Sequence, residues 1–580
     1  MNRENKICRG CKKNFVVEPE DFGFYKKINV PSPTLCPQCR MLRRWIWRND
    51  RRLFRRKDAV SGPEGAPFGG KEIFSNFPPQ VEAKVVDLEY WKSDAWDPFS
   101  YGRDYDFSRP FFEQFSELLH EVPWPSKSVQ QMVNSDYCDQ SGYFKNCYLC
   151  FNGDAIEDSA YCVNGSFLKN CFDLREALRD ELCYDDVIIG SSYRTFFSVG
   201  VENCRDSWFL KNCSGCTDCF GCVSLKNKSY HIWNEPYSKE DYLKKIEELN
   251  LGSYESVRKF KEQAREFWLK FPVKYRRGVR NVNSSGELVY DAKNAKDCYS
   301  VLDVENLRYC QFVYRKGTDS YDYSAWGNAA SEIYECITCG EQCSRLKFCW
   351  EVWPGCNDVE YSMFCRASSN LFGCVGLKKK QYCIFNKPYS KEEYALLREK
   401  IIKQMTENRE YGEFFPPEFS PFAYNETICQ DYFPLSAEAA AKAGYRWREP
   451  ELREFQTSMD VNSLPDHIKD VKDDVLKEVI KCSACGRAYR IIAAELDFLR
   501  QMGIPLPRLC VNCRYAERFK YVNPPKFWHM QCMCDYKTYK NFSKHEWHPE
   551  GRCPNEFETA YAPERPEIVY CEECNQKEVI

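Results

Sequence analysis

Two cysteine pairs, Cys8-x2-Cys11 and Cys36-x2-Cys39, stand 24 residues apart near the start of the chain, and Cys482-x2-Cys485 and Cys510-x2-Cys513 repeat that spacing near its end. The two blocks align without a gap at an offset of 474, which also matches Phe24 with Phe498, Pro31 with Pro505, Arg40 with Arg514 and Arg44 with Arg518. Four thiolates in two such pairs fit a tetrahedral, closed zinc site, structural and not catalytic. Cys39 and Cys513 open helix-like segments, CRMLRRWIWRNDRRLF and CRYAERFKY, whose dipoles favour thiolate. A treble clef or a plain zinc ribbon would position such ligands. In a third set, Cys571-x2-Cys574 is a standard knuckle. Cys534 and Cys553 are expected to complete it, with Cys532 as the spare and His545 and His548 as loop residues. About three Zn2+ per chain follow from these closed ligand sets.

A fourth arrangement, NCSGCTDCFGC at residues 212–222, spaces Cys213, Cys216, Cys219 and Cys222 three apart. It lies in a duplicated region, because residues 204–249 align with 356–401 at an offset of 152. Under that offset Cys213 and Cys222 become Cys365 and Cys374, but Cys216 becomes Ser368 and Cys219 becomes Leu371. Leucine cannot ligate a cluster, and the spacing also departs from the ferredoxin run. Buried thiols are therefore expected, with a further zinc or an iron–sulfur cluster as the alternatives; His231 opposite Cys383 keeps a metal open.

Around these cysteines, others recur nine apart (Cys138 and Cys147, Cys162 and Cys171, Cys204 and Cys213, Cys356 and Cys365), and the phrases FKNC and LKNC recur with them. A nine-residue step, doubled or stretched to roughly 18 to 24 residues, suits one coil of a β-solenoid with Asn, Gly, Ser and Asp turns. The expected fold is multidomain and mainly β. Small treble-clef or zinc-ribbon domains at both ends flank a duplicated, cysteine-rich, β-solenoid-like repeat with a helical segment after each copy.

Residues 1–60 are read as a zinc knuckle with a basic helix, and 61–125 as an aromatic-rich linker whose helix, from about Arg109 to His120, caps the first coil. Repeat 1 spans 126–235, a helical segment 236–285, repeat 2 residues 286–387 and a helical segment 388–412. A linker with a short helix from Ser436 to Gly444 covers 413–478, followed by a knuckle at 479–528 and a carboxy-terminal zinc ribbon at 529–580. Ser238 and Ser390, each with an acid three residues on, cap the helices that follow the repeats.

The net charge of −3 comes from 82 basic and 85 acidic residues, so a nucleic-acid or membrane partner must use a local patch. No run of about eighteen apolar residues or apolar leader occurs, and 35 cysteines, an odd number, suit a reducing, cytoplasmic setting without a membrane. The local patch is residues 40–57, with nine basic side chains against Asp50. Arg40, Arg43, Arg44, Trp47, Arg48, Arg51 and Arg55 are the candidate nucleic-acid contacts, while Leu42, Trp45, Ile46 and Leu53 would share the opposite, apolar helix face. The competing reading pairs these arginines with acids of the DAWDPFSYGRDYDF segment.

The phrases CRGC, CPQCRMLRR, YWKSDAWDPFSYGRDYDFSRPFFEQF, CFGC, NKPYSKEEY and EFETAYAPERPEIVYCEEC resemble a family of uncharacterised cysteine-rich, multi-zinc-ribbon proteins of candidate-phylum bacteria, over nearly the whole chain. Some members carry a CaiB/BaiF-type CoA-transferase label; no residue here supports acyl or CoA chemistry. Asp58, in RRKDAVSG, stands where the family pattern has a further cysteine. The chain lacks GxxxxGK[ST], GxSxG and HExxH. The function expected is a zinc-binding, non-enzymatic scaffold or adaptor that binds nucleic acid or a ribonucleoprotein through its amino-terminal helix. The alternative is an enzyme or carbohydrate-binding protein using a solenoid face.

Overall fold

A computed structural model describes residues 3–60, 70–449 and 455–578. The first nine residues of the expected aromatic-rich linker, 61–69, lie outside the described residues. The chain divides into two units, each gathered from distant segments. The first comprises Met1–Ser128, Arg276–Glu449 and Pro524–Lys526; the second comprises Val129–Tyr275, Pro450–Asn523 and Phe527–Ile580. The amino-terminal knuckle thus belongs with repeat 2, and the knuckle at 479–528 belongs with repeat 1.

Each repeat is a β-solenoid of short parallel strands. In the second unit it runs from strand Val129–Gln130 to Ser229–Ile232, closed by the antiparallel strand Glu235–Pro236. In the first unit it runs from Gly278–Val279, ahead of the expected 286, to Gln381–Ile384, closed by Lys387–Pro388. The coil is shorter than the expected 18 to 24 residues. Phe151 pairs with Val163 and Val163 with Arg175, a step of 12. In the first unit the step is 12 at Gly286 and Cys298 but 13 at Tyr321 and Tyr334.

The reason is a period of three. Asn146, Leu149, Asn152, Ala155, Asp158 and Tyr161 all have φ between 49° and 62°, and this left-handed residue recurs at nearly every third position through both solenoids. Each one turns the chain, so a 12-residue coil has four sides of three residues. The residue after each corner points inward: the buried core of the second unit includes Cys138, Phe144, Cys147, Cys150, Ile156 and Cys162. The recurrent Asn-Cys phrase is a corner followed by a core residue. Asparagine tolerates the left-handed region better than most side chains, and its amide also joins coils, Asn134 to Asn146 at 3.0 Å and Asn146 to Asp158 at 2.8 Å.

Cysteine suits the inward position because it is small and carries a donor. Cys138 Sγ donates to the carbonyl of Cys147 at 3.5 Å, Cys204 to that of Cys213 at 3.6 Å, and Cys374 to that of Cys383 at 3.3 Å. The nine-residue ladder is therefore the thiol reaching a carbonyl on the next coil. Serine serves similarly as acceptor: the amide of Cys147 donates to Ser135 Oγ at 2.9 Å and that of Cys374 to Ser362 Oγ at 3.0 Å. Cys213, Cys216, Cys219 and Cys222 occupy the four inward positions of one coil, all at most 1% exposed. Ser368 and Leu371 hold the matching places in the first unit and are also buried.

Helices Lys239–Glu248 and Lys391–Glu407 follow the solenoids, with Ser238 and Ser390 as caps. The helix expected over the first coil, Phe111–Glu121, instead lies against repeat 2, with Phe111 5.5 Å from Phe372 and 5.3 Å from Phe385, ring centre to ring centre. Among the described residues no helix is long and apolar enough to cross a membrane.

Burial pushes the Cys383 thiol up to about 11 and that of Cys365 well above its usual range. Thiol labelling at pH 8 is expected to leave Cys204, Cys213, Cys219, Cys356 and Cys365 unmodified in the native protein and to reach them in denaturant. Rapid native labelling at these positions would contradict the lumen assignment.

Candidate metal centres

Each four-cysteine site is built by a hairpin and a helix start. Strands Glu4–Ile7 and Asn14–Val17 pair antiparallel, and the turn between them carries Cys8 and Cys11. Cys36 caps helix Pro37–Trp45, which places Cys39 in its first turn. The amide of Cys36 donates to Cys8 Sγ at 3.2 Å, and Cys11 Sγ lies 3.8 Å from Cys36 Sγ. The second site reproduces this. Cys510 caps helix Val511–Phe519, its amide donates to Cys482 Sγ at 3.2 Å, and Cys485 Sγ lies 3.6 Å from Cys510 Sγ. Sulfurs sharing a tetrahedral zinc at about 2.3 Å stand roughly 3.8 Å apart, so both sets fit a closed centre. The Cys36 thiol is pulled down to about 5, first by its hydrogen bond with Cys39, whereas burial pushes the equivalent Cys510 thiol up.

The carboxy-terminal set corrects the sequence expectation. Cys532, not Cys534, groups with Cys553, Cys571 and Cys574. Cys571 caps helix Glu572–Lys577, and its amide donates to Cys532 Sγ at 3.2 Å, the amide–sulfur bond of the other two sites. Cys553 Sγ lies 4.0 Å from Cys571 Sγ. Cys532 thus takes the place of Cys8 and Cys482. His545 and His548 do lie in an irregular segment, joined by an isolated bridge, but both are buried and with Cys534 and Cys574 they form a fourth group. None of the four candidate groups among the described residues contains a solenoid cysteine.

The basic helix is also placed differently from expectation. It ends at Trp45, and Phe54–Lys57 is a strand, so Leu53 does not share a helix face with Leu42, Trp45 and Ile46. Arg40, Arg43, Arg44 and Arg48 are buried, and Trp47 is 0% exposed, its ring edge-on to Trp350 at 5.0 Å. These five side chains are therefore not presented to phosphates. Arg51 is half-buried against Asp431 at 3.4 Å, and Arg55 is exposed beside Glu72 at 3.5 Å. The acids that hold Arg40, Arg43 and Arg44 belong to the solenoid and to Glu413, and Arg48 pairs with Asp50 at 2.5 Å; none of these acids is in the DAWDPFSYGRDYDF segment.

Arg40 meets Asp322 at 2.9 Å, Arg44 meets Glu335 at 2.9 Å and Asp322 at 3.4 Å, and Arg43 pairs with Glu335 and Glu413. The second unit repeats the contact: Arg514 meets Asp173 at 2.7 Å, and Arg518 meets Asp173 at 2.8 Å and Asp185 at 3.0 Å. Arg40 lies over the Tyr309 ring at 5.3 Å and Arg514 over Tyr161 at 4.9 Å. Phe24 stacks on Tyr321 at 3.9 Å, and Phe498 sits 4.6 Å from Phe172. Burial works against both arginine charges. The Asp322 and Asp173 carboxylates outweigh it and hold both guanidinium pKa values well above their usual range.

The acids are corner residues on adjacent coils. The corner column reads Tyr161, Asp173, Asp185, Phe197 in one unit and Tyr309, Asp322, Glu335, Phe348 in the other, every member with positive φ. That column is the signal missed in the sequence; the inserted residues of the 13-residue coils hide it from a constant offset.

No protein-family model and no curated protein matches the chain. Among solved structures, one described as an acetyltransferase from Desulfovibrio desulfuricans G20 is similar at 11% identity over 45% of this chain and 70% of that one, with a TM-score of 0.11. UDP-N-acetylglucosamine acyltransferase from Campylobacter jejuni is similar at 10% identity over 50% of this chain and 98% of that one, with a TM-score of 0.09. At these scores neither likeness bears on what this chain does.

Removing the shared acid of a buried ion network leaves its arginines under-neutralised: without Asp173, Arg514 keeps Glu495 and Arg518 keeps Asp185, and without Asp322, Arg40 and Arg44 share Glu335. Asp173→Ala is expected to destabilise the second unit, and Asp322→Ala the first, by about 3–5 kcal/mol each. Chemical denaturation followed by hydrogen exchange in each unit would measure it; a loss below about 1 kcal/mol would contradict a buried, desolvated pair.

Proposed function

We propose that this protein is a zinc-binding, non-enzymatic scaffold or adaptor in which treble-clef-type centres lock short helices onto β-solenoid walls. The observation that supports it is the repeated path from ligand to wall. Cys36 and Cys510 start the helices whose Arg40 and Arg44, or Arg514 and Arg518, enter the acid column of a solenoid. A metal that holds the helix start fixes the direction in which both arginines leave it, so binding energy at the metal becomes rigidity of the unit.

Zinc removal tests this in the full chain. Stoichiometric zinc is expected on purification. Chelation should abolish hydrogen-exchange protection in helices Pro37–Trp45 and Val511–Phe519 and weaken it in the coils around Asp322 and Asp173. Unchanged protection in the metal-free protein would overturn the structural role, and a metal-bound exchangeable water in the cobalt-substituted protein would point to an open, catalytic site instead.

The adaptor reading includes a nucleic-acid or ribonucleoprotein partner as a proposal, now resting on the exposed Arg55 and Lys57 of strand Phe54–Lys57. Two phosphate contacts give a salt slope of roughly −1.4 to −1.8 in log affinity against log salt. A titration with single-stranded RNA, for wild type and for Arg55→Glu with Lys57→Glu, measures it; the same affinity and slope for both proteins would exclude the strand.

A further inference from the structure

The four-cysteine set at the carboxy terminus shares a ligand with its neighbour. Cys574 belongs both to the group Cys532, Cys553, Cys571 and Cys574 and to the group Cys534, His545, His548 and Cys574; within each, one ligand atom from every residue lies within 4.8 Å of the others. All seven residues are buried. We propose that this segment holds a binuclear zinc centre in which the Cys574 thiolate bridges the two ions, one with four sulfur ligands and one with two sulfurs and two imidazoles.

The distances in the second half suit a tetrahedral ion. Cys534 Sγ lies 3.7 Å from His545 Nδ1, His545 Nδ1 lies 3.1 Å from His548 Nε2, and His548 Nε2 lies 3.1 Å from Cys574 Sγ. Ligands at about 2.0–2.1 Å for nitrogen and 2.3 Å for sulfur stand roughly 3.3 to 3.8 Å apart around such an ion. Without an ion, two imidazole nitrogens and two thiols would face one another, all four residues buried.

The surrounding groups are those that orient ligands. His545 Nε2 lies 3.1 Å from Glu578 Oε1, the carboxylate–histidine pairing that fixes the tautomer and leaves Nδ1 for the metal. Asn541 is oriented by the same carboxylate at 2.9 Å and donates to Cys534 Sγ at 3.5 Å. On the other half, the amide of Cys571 donates to Cys532 Sγ at 3.2 Å. Five thiolates against two dications leave the centre with a net charge of about −1, a modest charge for a buried cluster, whereas five thiolates around a single ion would leave about −3.

The test is metal analysis of the full chain, followed by cadmium substitution and cadmium NMR. The wild type should carry four metal ions per chain, one for each group. Two of the cadmium signals should show mutual coupling through the shared sulfur. His545→Ala with His548→Ala should remove one ion and abolish the coupling. Glu578→Gln, which keeps every ligand, should make the same ion roughly 10- to 100-fold easier to extract by a chelator. Three ions in the wild type, or four without coupled cadmium signals, would overturn the bridged centre. Neither result depends on a variant folding, and both can occur while the two hairpin-and-helix centres stay filled, so the structural reading of those centres is tested separately.

Discussion

The structure turns on one contact made twice: two arginines a helical turn apart meeting two acids on adjacent coils. The geometries match because residues four apart on a helix are separated by about 6 Å along its axis, while neighbouring strands lie about 4.8 Å apart. Asp173 and Asp322 absorb the difference by each bonding both arginines of the facing helix. A solenoid offers a docking helix many nearly equivalent coils, and apolar contact alone discriminates poorly among them. Here a seat one coil further on would set Arg518 between Asp185 and Phe197, or Arg44 between Glu335 and Phe348, so that each exchanges one of its two acids for an aromatic ring and Asp173 or Asp322 is left buried without its arginines. The corner column, aromatic on both sides of its two acids, defines a single register.

Some of this was legible in the sequence. The hairpin-and-helix centres and their duplication followed from spacing alone, because a metal needs its ligands at fixed distances and a knuckle is local. The solenoid followed from the nine-residue ladder, but its coil length did not. A period of three matches neither the alternation of a strand nor the repeat of a helix. The inward positions share compactness more than residue type, since Cys150, Ser159, Leu168, Ala177 and Asp186 all serve there and all are buried. The corners are as mixed, with Asn146 beside Leu149 and Tyr161. Neither column shows a hydrophobic pattern that a window could detect.

The buried arginines were illegible for a different reason. Arg40 and Asp322, or Arg514 and Asp173, are far apart in sequence, and nine basic residues in one stretch read as a surface until the acids that neutralise them are located. At the carboxy terminus the sequence reading placed Cys534 where Cys532 lies and passed over His545 and His548. Cys532 and Cys534 are equally available by spacing, and only the amide of Cys571, which points at Cys532 Sγ, separates them.

Each unit is completed across the chain. The solenoid of the second unit ends at Pro236, yet the arginines that neutralise its acid column lie at 514 and 518. During synthesis that wall exists before its partner does, with Asp173 and Asp185 stacked about one strand spacing apart and still in water. Two carboxylates so placed repel each other; Lys261, 2.5 Å from Asp185, relieves part of the repulsion, and the guanidinium groups relieve the rest. The arrival is a single event, because one helix, Val511–Phe519, carries both arginines. Loop closure over such a length adds little more entropy than closure over a short one, so the separation in sequence costs the folded unit little. It mainly sets the order of synthesis: in the second unit the coils precede helix Val511–Phe519, whereas in the first helix Pro37–Trp45 precedes its coils.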